Sequence, residues 1–405
     1  MGDNAAALKA AEALVTALKN TSSPSPTQHL ELLKLSNSVT TLLETPYDIG
    51  TKFVEILGLS GALYTLVKTG AIEEVPSFGS ITAEDLATAV NIPTTAIKRL
   101  MRMALVNGIF TEPSPSVYAH NPLSQSFRLS ALGGLILISV EHNKATVALP
   151  DYFKSHTSSD FFDLKKSPYA FSRSQEGKTY YEVLDADVEY RPVWNAILSV
   201  MDKNMPILGM FPWETLKEQV EKEPERPFVV DIGGGRGQAL LKLQEEIPGA
   251  FGGRLILQDL EAVIGTLGDG DTPGIEGMVY NAFEEQPVKN AHVYFMRRFL
   301  HDFYNGIEFL KNTAKAMGPD SRLIICDMLV PEKVEVYGSQ EVYWLDLNLM
   351  AMSGQERTLS EFNEIFDAAG LELVKVYSLG VGATVQLEAR LERLRVRTEH
   401  NKSSI

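Results

Sequence analysis

Residues 228–243 read FVVDIGGGRGQALLKL: an apolar run reaches Asp231 and Ile232, then gives way to Gly233, Gly234, Gly235 and Gly237 before a helical pattern begins. Glycine lets backbone N–H groups approach a ligand closely and accepts positive φ. The N-terminus of the helix that follows favours a carboxylate. Counted from Asp231, the run is D-x-G-x-G-x-G. The dinucleotide pattern G-x-G-x-x-G needs glycine at 236 or 238, where Arg236 and Gln238 stand, so a pyrophosphate is the weaker candidate. A second anchor, Asp259, ends the strand-like RLILQDL about 20 residues further on, where a carboxylate can accept both ribose hydroxyls of a nucleoside. In VYNAFEEQPV, Asn281 and Phe283 could hold an adenine and stack on it. Glycine turns after strands are common; the three features in order, at successive strand ends, are far more specific.

The elements around these residues must bring their ends together. From 227 onward short β-runs alternate with helical patterns: PFVVDI, GQALLKLQEEI, RLILQDL, HVYFMRRFL, NGIEFLKNTAKAM, SRLIICDMLV, LSEFNEIFDAAG, ELVKVYSL and ATVQLEAR. Such alternation predicts an α/β fold with a doubly wound, largely parallel sheet, whose ligand sits beyond the carboxyl ends of the strands. Ahead of it, residues 5–20 and 27–45 carry helical spacing around a Pro/Ser linker, TSSPSPT. In ITAEDLATAVNIPTTAIKRLMRMALVNGIF, Thr82 and Asp85 mark a helix start, NIP a turn and Thr94–Val106 a second helix; GIFTEPSPSVYAHN forms a small wing. The region 125–222 reads as mostly helical, ending in a Met- and Trp-rich segment, YRPVWNAILSVMDKNMPILGMFPWETL.

Composition narrows the partners. The 405 residues carry a formal net charge of −15, which repels phosphate backbones and anionic surfaces. The winged-helix pattern offers only Lys98, Arg99 and Arg102 on its second helix, so packing or dimerisation is favoured over a DNA reader. The basic cluster ARLERLRVR is interleaved with glutamates and reads as a solvated helix face. LSALGGLILISV is too short to span a bilayer, the N-terminus shows no targeting segment, and the single Cys326 suits a reducing compartment. The expectation is a cytoplasmic protein with no nucleic-acid partner, no membrane and no metal.

The motifs VVDIGGGRG, LILQDL, VYFMRRFLHDF, SRLIICDMLVP and SGQERTLSEFNEIFDAAGL make residues 228–388 resemble the class I S-adenosylmethionine-dependent O-methyltransferases. The caffeic-acid-type plant and fungal enzymes that methylate phenols and polyketides are the most similar group. The resemblance implies a Rossmann-like methyltransferase domain preceded by an all-helical, winged-helix dimerisation domain. We accordingly divide the chain into residues 1–125, and 126–405 with a cofactor-binding core at 227–388. It implies S-adenosyl-L-methionine as cofactor, a homodimer, and a small hydroxylated substrate. Cofactor contacts then fall on Asp231, Gly233, Gly235, Gly237, Asp259, Leu260, Asn281, Ala282, Phe283, Arg297 and Trp194, with Leu198 beside the methionine moiety. The histidine of LHDF, His301, matches the catalytic base, and Asp327 and Glu356 match the carboxylates flanking it. Met350 and Met352 would suit an aromatic substrate wall.

A phenol with a pKa of about 10 is mostly protonated at neutral pH, so a positioned base helps. Histidine, with an unperturbed pKa of about 6.5, suits the task. The chain departs from the family in two places: Asp327 stands where glutamate is frequent, with a shorter reach to His301, and Asn281 where aspartate is usual. Asp302 reads as the N-cap of a helix over 304–317. Some relatives use this scaffold and cofactor for pericyclic or dehydration chemistry; His301, Asp327 and Glu356 favour methyl transfer instead. An NAD-dependent oxidoreductase is disfavoured by the glycine spacing.

Overall fold

The computed structural model describes residues 4–194, 196–197, 208–268, 270–336, 338–380 and 382–392. Leu198 of the sequence reading lies outside the described residues, as does the basic tail from 393. The chain forms two compact units: Met1–Met205 with Glu335–Gln340 and Trp344–Ser353, and Pro206–Val334 with Glu341–Tyr343 and Gly354–Ile405.

The first unit is helical. It opens with α1 (Asn4–Lys19), α2 (Pro26–Leu43) and α3 (Pro46–Lys68), the last two each begun by a capping box and a proline in the first turn. The helix-turn-helix expected from the sequence is present as α4 (Ala83–Ala89) and α5 (Thr94–Val106), with the Thr82 hydroxyl accepting from the Asp85 N–H. Strands β1 (Ile81–Thr82), β2 (Thr111–Ser114) and β3 (Val117–Ala119) form a three-stranded sheet in the order β1-β3-β2, which is the wing. A long helix, α6 (Leu132–Ser155), follows. Its buried His142 accepts no solvent: Nδ1 lies 2.9 Å from Ile138 O and Nε2 3.0 Å from the Tyr180 hydroxyl.

The second unit is built on an eight-stranded sheet: β4 (Pro227–Ile232), β5 (Arg254–Asp259), β6 (Ile275–Val279), β7 (Val293–Arg297), β8 (Arg322–Val330), β9 (Arg357–Thr358), β10 (Leu371–Ser378) and β11 (Thr384–Leu391). The order is β10-β11-β8-β7-β4-β5-β6, with β9 beside the end of β8. Strands β6, β5, β4, β7 and β8 run parallel; β11 and β10 are an antiparallel addition. Parallel strands are covered on both faces, which is why PFVVDI and RLIICDM read as near-continuous apolar runs. Phe228, Val229, Val230 and Ile232 are buried, and each such side chain contributes roughly 1.5–3 kcal/mol by leaving water. Helices α7 (Gln238–Glu246), α8 (Ile307–Ala316) and α9 (Leu359–Ala369) belong to this unit.

Two readings need correction. Helix α8 starts at Ile307 with Gly306 as its cap, so Asp302 caps nothing there; it ends a 3₁₀ turn, Leu300–Asp302. The start of ARLERLRVR is not a helix face either, because Ala389–Leu391 pair with β10, and Ala389 also with β8, as part of β11.

Candidate active site

Parallel β4, β5, β6 and β7 end on one edge of the sheet, and the direction of winding reverses at β4. The crevice therefore opens over the turn that follows β4. Gly233 N–H and Gly234 N–H both donate to Gln258 O, at 2.8 and 3.2 Å, tying the turn to the end of β5. Gly233, Gly235 and Gly237 have φ of +68°, +60° and +80°, which explains three of the four glycines. The fourth is demanded by space: a Cβ on Gly234 would lie 2.5 Å from Asp231 Oδ2. A Cβ on Gly233 would fall 2.2 Å from the Phe299 ring, so the turn is pressed against the segment carrying His301. Gly235, by contrast, faces open space except for Gln238 Oε1 at 3.5 Å. Sequence reading missed Gln258 and its buried partner Gln286, whose side-chain amides exchange two 2.8 Å hydrogen bonds and hold the end of β5; polar residues inside an apolar strand were the available signal.

Asp259 is oriented by main chain: Gly235 N–H donates to Oδ2 and Leu260 N–H to Oδ1, both at 2.8 Å. Burial raises its pKa, and these two donors oppose the rise. Leu260, next in the chain, and Phe283, in the loop after β6, both expose large apolar side chains, which a flat ring could cover. Asn281 Oδ1 accepts from Phe283 N–H at 3.2 Å, so the carbonyl already serves the local turn; Ala282 is buried, and its carbonyl accepts from Asn312 Nδ2 at 3.1 Å. Asp231 is buried, and among the described residues neither carboxylate oxygen has a hydrogen-bond partner. Burial lifts its pKa to about 7, against the pull of Arg297 at the end of β7 and with a push from Asp259. An unpartnered buried carboxylate beneath a bare glycine turn is suited to a cationic ligand group.

His301 sits in the 3₁₀ turn after β7 and is buried. Its Nδ1 lies 2.8 Å from Glu356 Oε1, and Nε2 lies 3.4 Å from Asp302 Oδ1. Since an ionised carboxylate only accepts, Nδ1 is the donor and Nε2 the nitrogen free to exchange a proton. Burial lowers the pKa of His301, but Glu356, Asp302 and Asp327 outweigh it and lift it to about 9. Asp327 makes no hydrogen bond to the ring among the described residues: Oδ1 accepts from Arg298 N–H at 2.9 Å and Oδ2 has no hydrogen-bond partner. Burial raises the Asp327 pKa, and the charges of His301 and Arg357 oppose this. Arg298 holds a φ of +48° to make that contact. Glu356 arrives by β9, which pairs with the end of β8. Its neighbour Arg357, missed in the sequence, is also buried here.

Trp194, Met350 and Met352 belong to the first unit. Trp194 packs its ring on His142 and Tyr180, with centroids 5.6 and 5.9 Å apart. Met350 is half-buried near the end of the helix Glu341–Ala351, and Met352 is its buried C-cap. The first unit also has a cleft of about 350 Å³ lined by Glu141, Tyr169, Arg173, Asp187 and Tyr190, among others.

Comparison with known proteins gives consistent matches. Residues 215–372 match the family model of the O-methyltransferase domain. O-methyltransferase hmp5 of Hypomyces subiculosus is 37% identical over 81% of this chain and 83% of its own length. O-methyltransferase kntB of Aspergillus niger is 30% identical over 80% and 79% respectively. Among solved structures, OxaC in complex with sinefungin and meleagrin superposes with a TM-score of 0.84 at 27% identity, covering 96% of this chain and 99% of that one. LepI in complex with SAM gives 0.79 at 25% identity, covering 96% and 100%. A structure described as a pericyclic reaction enzyme gives 0.79 at 25%, covering 95% and 99%.

Proposed function

Because this chain belongs to the O-methyltransferase family, we propose that it carries the methyl group of S-adenosylmethionine to a hydroxyl of a small aromatic or polyketide-type molecule, with His301 as general base. The cofactor supplies a sulfonium-bound methyl group, electrophilic toward an oxygen in line with the departing sulfur. Everything else falls to residues of the chain. Asp231, buried with no hydrogen-bond partner among the described residues, would take the cofactor's ammonium, and the glycine turn with the N-terminus of α7 its carboxylate. Asp259 would accept from the ribose hydroxyls, using the lone pairs that Gly235 and Leu260 leave over. Leu260 and Phe283 would flank the adenine, with Asn281 and Ala282 at its edge and Arg297 favouring the ionised form of Asp231 against the effect of burial. Trp194 as a cofactor contact and Met350 and Met352 as a substrate wall enter this reading by family resemblance alone.

The observation that carries the proposal is the buried His301–Glu356 pair, set two residues from the Phe299 ring that presses on Gly233. Glu356 orients the ring and stabilises the imidazolium formed when Nε2 takes the hydroxyl proton; Asp302 adds a second negative charge at that nitrogen. A base must be neutral to act, and a cation bound at the adjacent turn lowers the proton affinity that the surrounding carboxylates raise. The test is to supply labelled methyl donor with a panel of phenols and polyketides and count S-adenosylhomocysteine per product. One methyl per S-adenosylhomocysteine is the result expected.

A second reading, a pericyclase or dehydratase on the same fold, is favoured by the likeness to the structure described as a pericyclic reaction enzyme and by the carboxylates around His301, which raise its proton affinity. Product formed without S-adenosylhomocysteine would select it. As to assembly, α3 exposes Phe53, Val54, Ile56 and Leu57, and α5 exposes Val106. The apolar side chains gathered on α3 support the homodimer reading for residues 1–125, ahead of the methyltransferase region 126–405. The buried Cys326 is compatible with a cytoplasmic setting.

A further inference from the structure

Arg357 is 2% exposed, and its guanidinium is directed at main chain. Nη1 donates to Leu300 O and Gln355 O, both at 3.3 Å. Nη2 donates to Phe303 O at 2.8 Å and Tyr304 O at 3.0 Å. Leu300 precedes His301, and Phe303 and Tyr304 follow it, so one planar fork grips the turn on both sides of the imidazole. The turn is closed from the other direction as well: Gln355 N–H donates to His301 O at 2.8 Å, and a Cβ on Gly354 would stand 2.5 Å from that same oxygen. The consecutive residues Glu356 and Arg357 thus hold the histidine in two ways, one through Nδ1 and one through its backbone.

Charge gives the arrangement a second consequence. The groups facing the guanidinium are Asp327 on β8, Glu356 beside it on the chain, Glu361 on α9 and Tyr304 on the loop. Those facing His301 are Glu356, Asp302 and Asp327. If Arg357 were removed, Asp327 and Glu356 would lose a buried cation that faces them both. A buried cation that holds four carbonyls by a rigid fork is a role lysine cannot duplicate.

We infer that Arg357 is the positioning residue of the histidine: its guanidinium fixes the turn that carries His301 and its charge balances Asp327 and Glu356 around the ring. The inference rests on the general-base reading of His301, and its test has a readout independent of turnover. Arg357→Lys keeps the charge and loses the fork; Arg357→Met loses both. The imidazole of His301 is followed by NMR in the ligand-free protein, its signal assigned with His301→Gln, alongside pH–rate profiles and calorimetric affinity for S-adenosylmethionine.

In Arg357→Lys, turnover is expected to fall at least about tenfold with cofactor affinity held within about twofold. In Arg357→Met, the His301 titration midpoint rises by about one pH unit, as removal of a nearby cation requires, and the acid limb of the pH–rate profile moves the same way. Should Arg357→Met fail to fold, the split between turnover and affinity in Arg357→Lys decides the matter. An unmoved midpoint with turnover within about twofold of wild type in the folded variants would overturn the inference. So would equal losses of turnover and affinity in Arg357→Lys, which mark a general structural role. Undiminished methyl transfer by His301→Gln would instead remove the base reading, while the midpoint in Arg357→Met still reports on the charge balance.

Discussion

Glu356 Oε1 and His301 Nδ1 stand 2.8 Å apart although 55 residues separate them in the chain, and both side chains are buried. The contact sets the tautomer of the ring and the nitrogen that exchanges a proton. In Glu356→Gln the amide can still meet Nδ1–H through its oxygen, but the charge that raises the imidazole's proton affinity is gone. We expect turnover to fall by about 10²- to 10⁴-fold, the range of a lost base or its orienting carboxylate. The acid limb of the pH–rate profile should move to lower pH. Stopped-time methyl-transfer assays from pH 5 to 10 read both.

Asp231 makes a prediction about stability. Its folded-state pKa of about 7 lies above the ordinary aspartate value of 3.8, so the folded protein binds the proton more tightly than the unfolded chain. Its contribution is fully present below about 4 and is lost as pH rises through about 7, a change on the order of 4 kcal/mol in total. The same sign holds for His301, whose contribution is present below its ordinary value of 6.5 and lost as pH rises through about 9. Thermal melts of the ligand-free protein should therefore drop steadily from pH 5 to 9. Asp231→Asn should flatten the part below pH 7, raise the melting temperature at pH 8, and weaken S-adenosylmethionine binding.

Asn281 spends its carbonyl on Phe283 N–H. An aspartate there would keep that hydrogen bond and add a second acceptor oxygen for the amino group of an adenine. Asn281→Asp should tighten cofactor binding by about three- to tenfold, the worth of one exposed charge-assisted hydrogen bond. Calorimetry on the two proteins measures it, and a weaker complex would count against the adenine lying at this edge.

The apolar face of α3 is the simplest feature to probe. Phe53→Glu combined with Leu57→Glu places two charges on exposed positions of this helix, so folding should be spared. A dimer built there should dissociate, with the mass by light scattering halved. An unchanged mass would move the interface elsewhere.

The glycine turn, Asp259 and the alternation of strands and helices were legible because they are local: a positive φ, a strand end and a periodicity all leave marks within a few residues. The winged helix was legible for the same reason, through the Thr82 cap and the turn at NIP. What stayed hidden depends on distant partners. Asp302 looks like a cap until Gly306 takes that place, and it then turns out to lie 3.4 Å from Nε2 of His301. Arg357 reads as one more surface arginine unless the carbonyls of 300–304 are already known to converge on it. Asp327 and Glu356 enter from the resemblance together, yet among the described residues it is Glu356 and not Asp327 that bonds the ring; which of two carboxylates reaches an imidazole is settled by β9 lying against the end of β8.

The central claim is that His301 takes the proton from the acceptor hydroxyl. His301→Ala, assayed for labelled methyl transfer and S-adenosylhomocysteine with calorimetry to confirm that the cofactor still binds, tests it most directly. Turnover is expected to fall about 10²- to 10⁴-fold at unchanged cofactor affinity. Methyl transfer at the wild-type rate in that variant would contradict it.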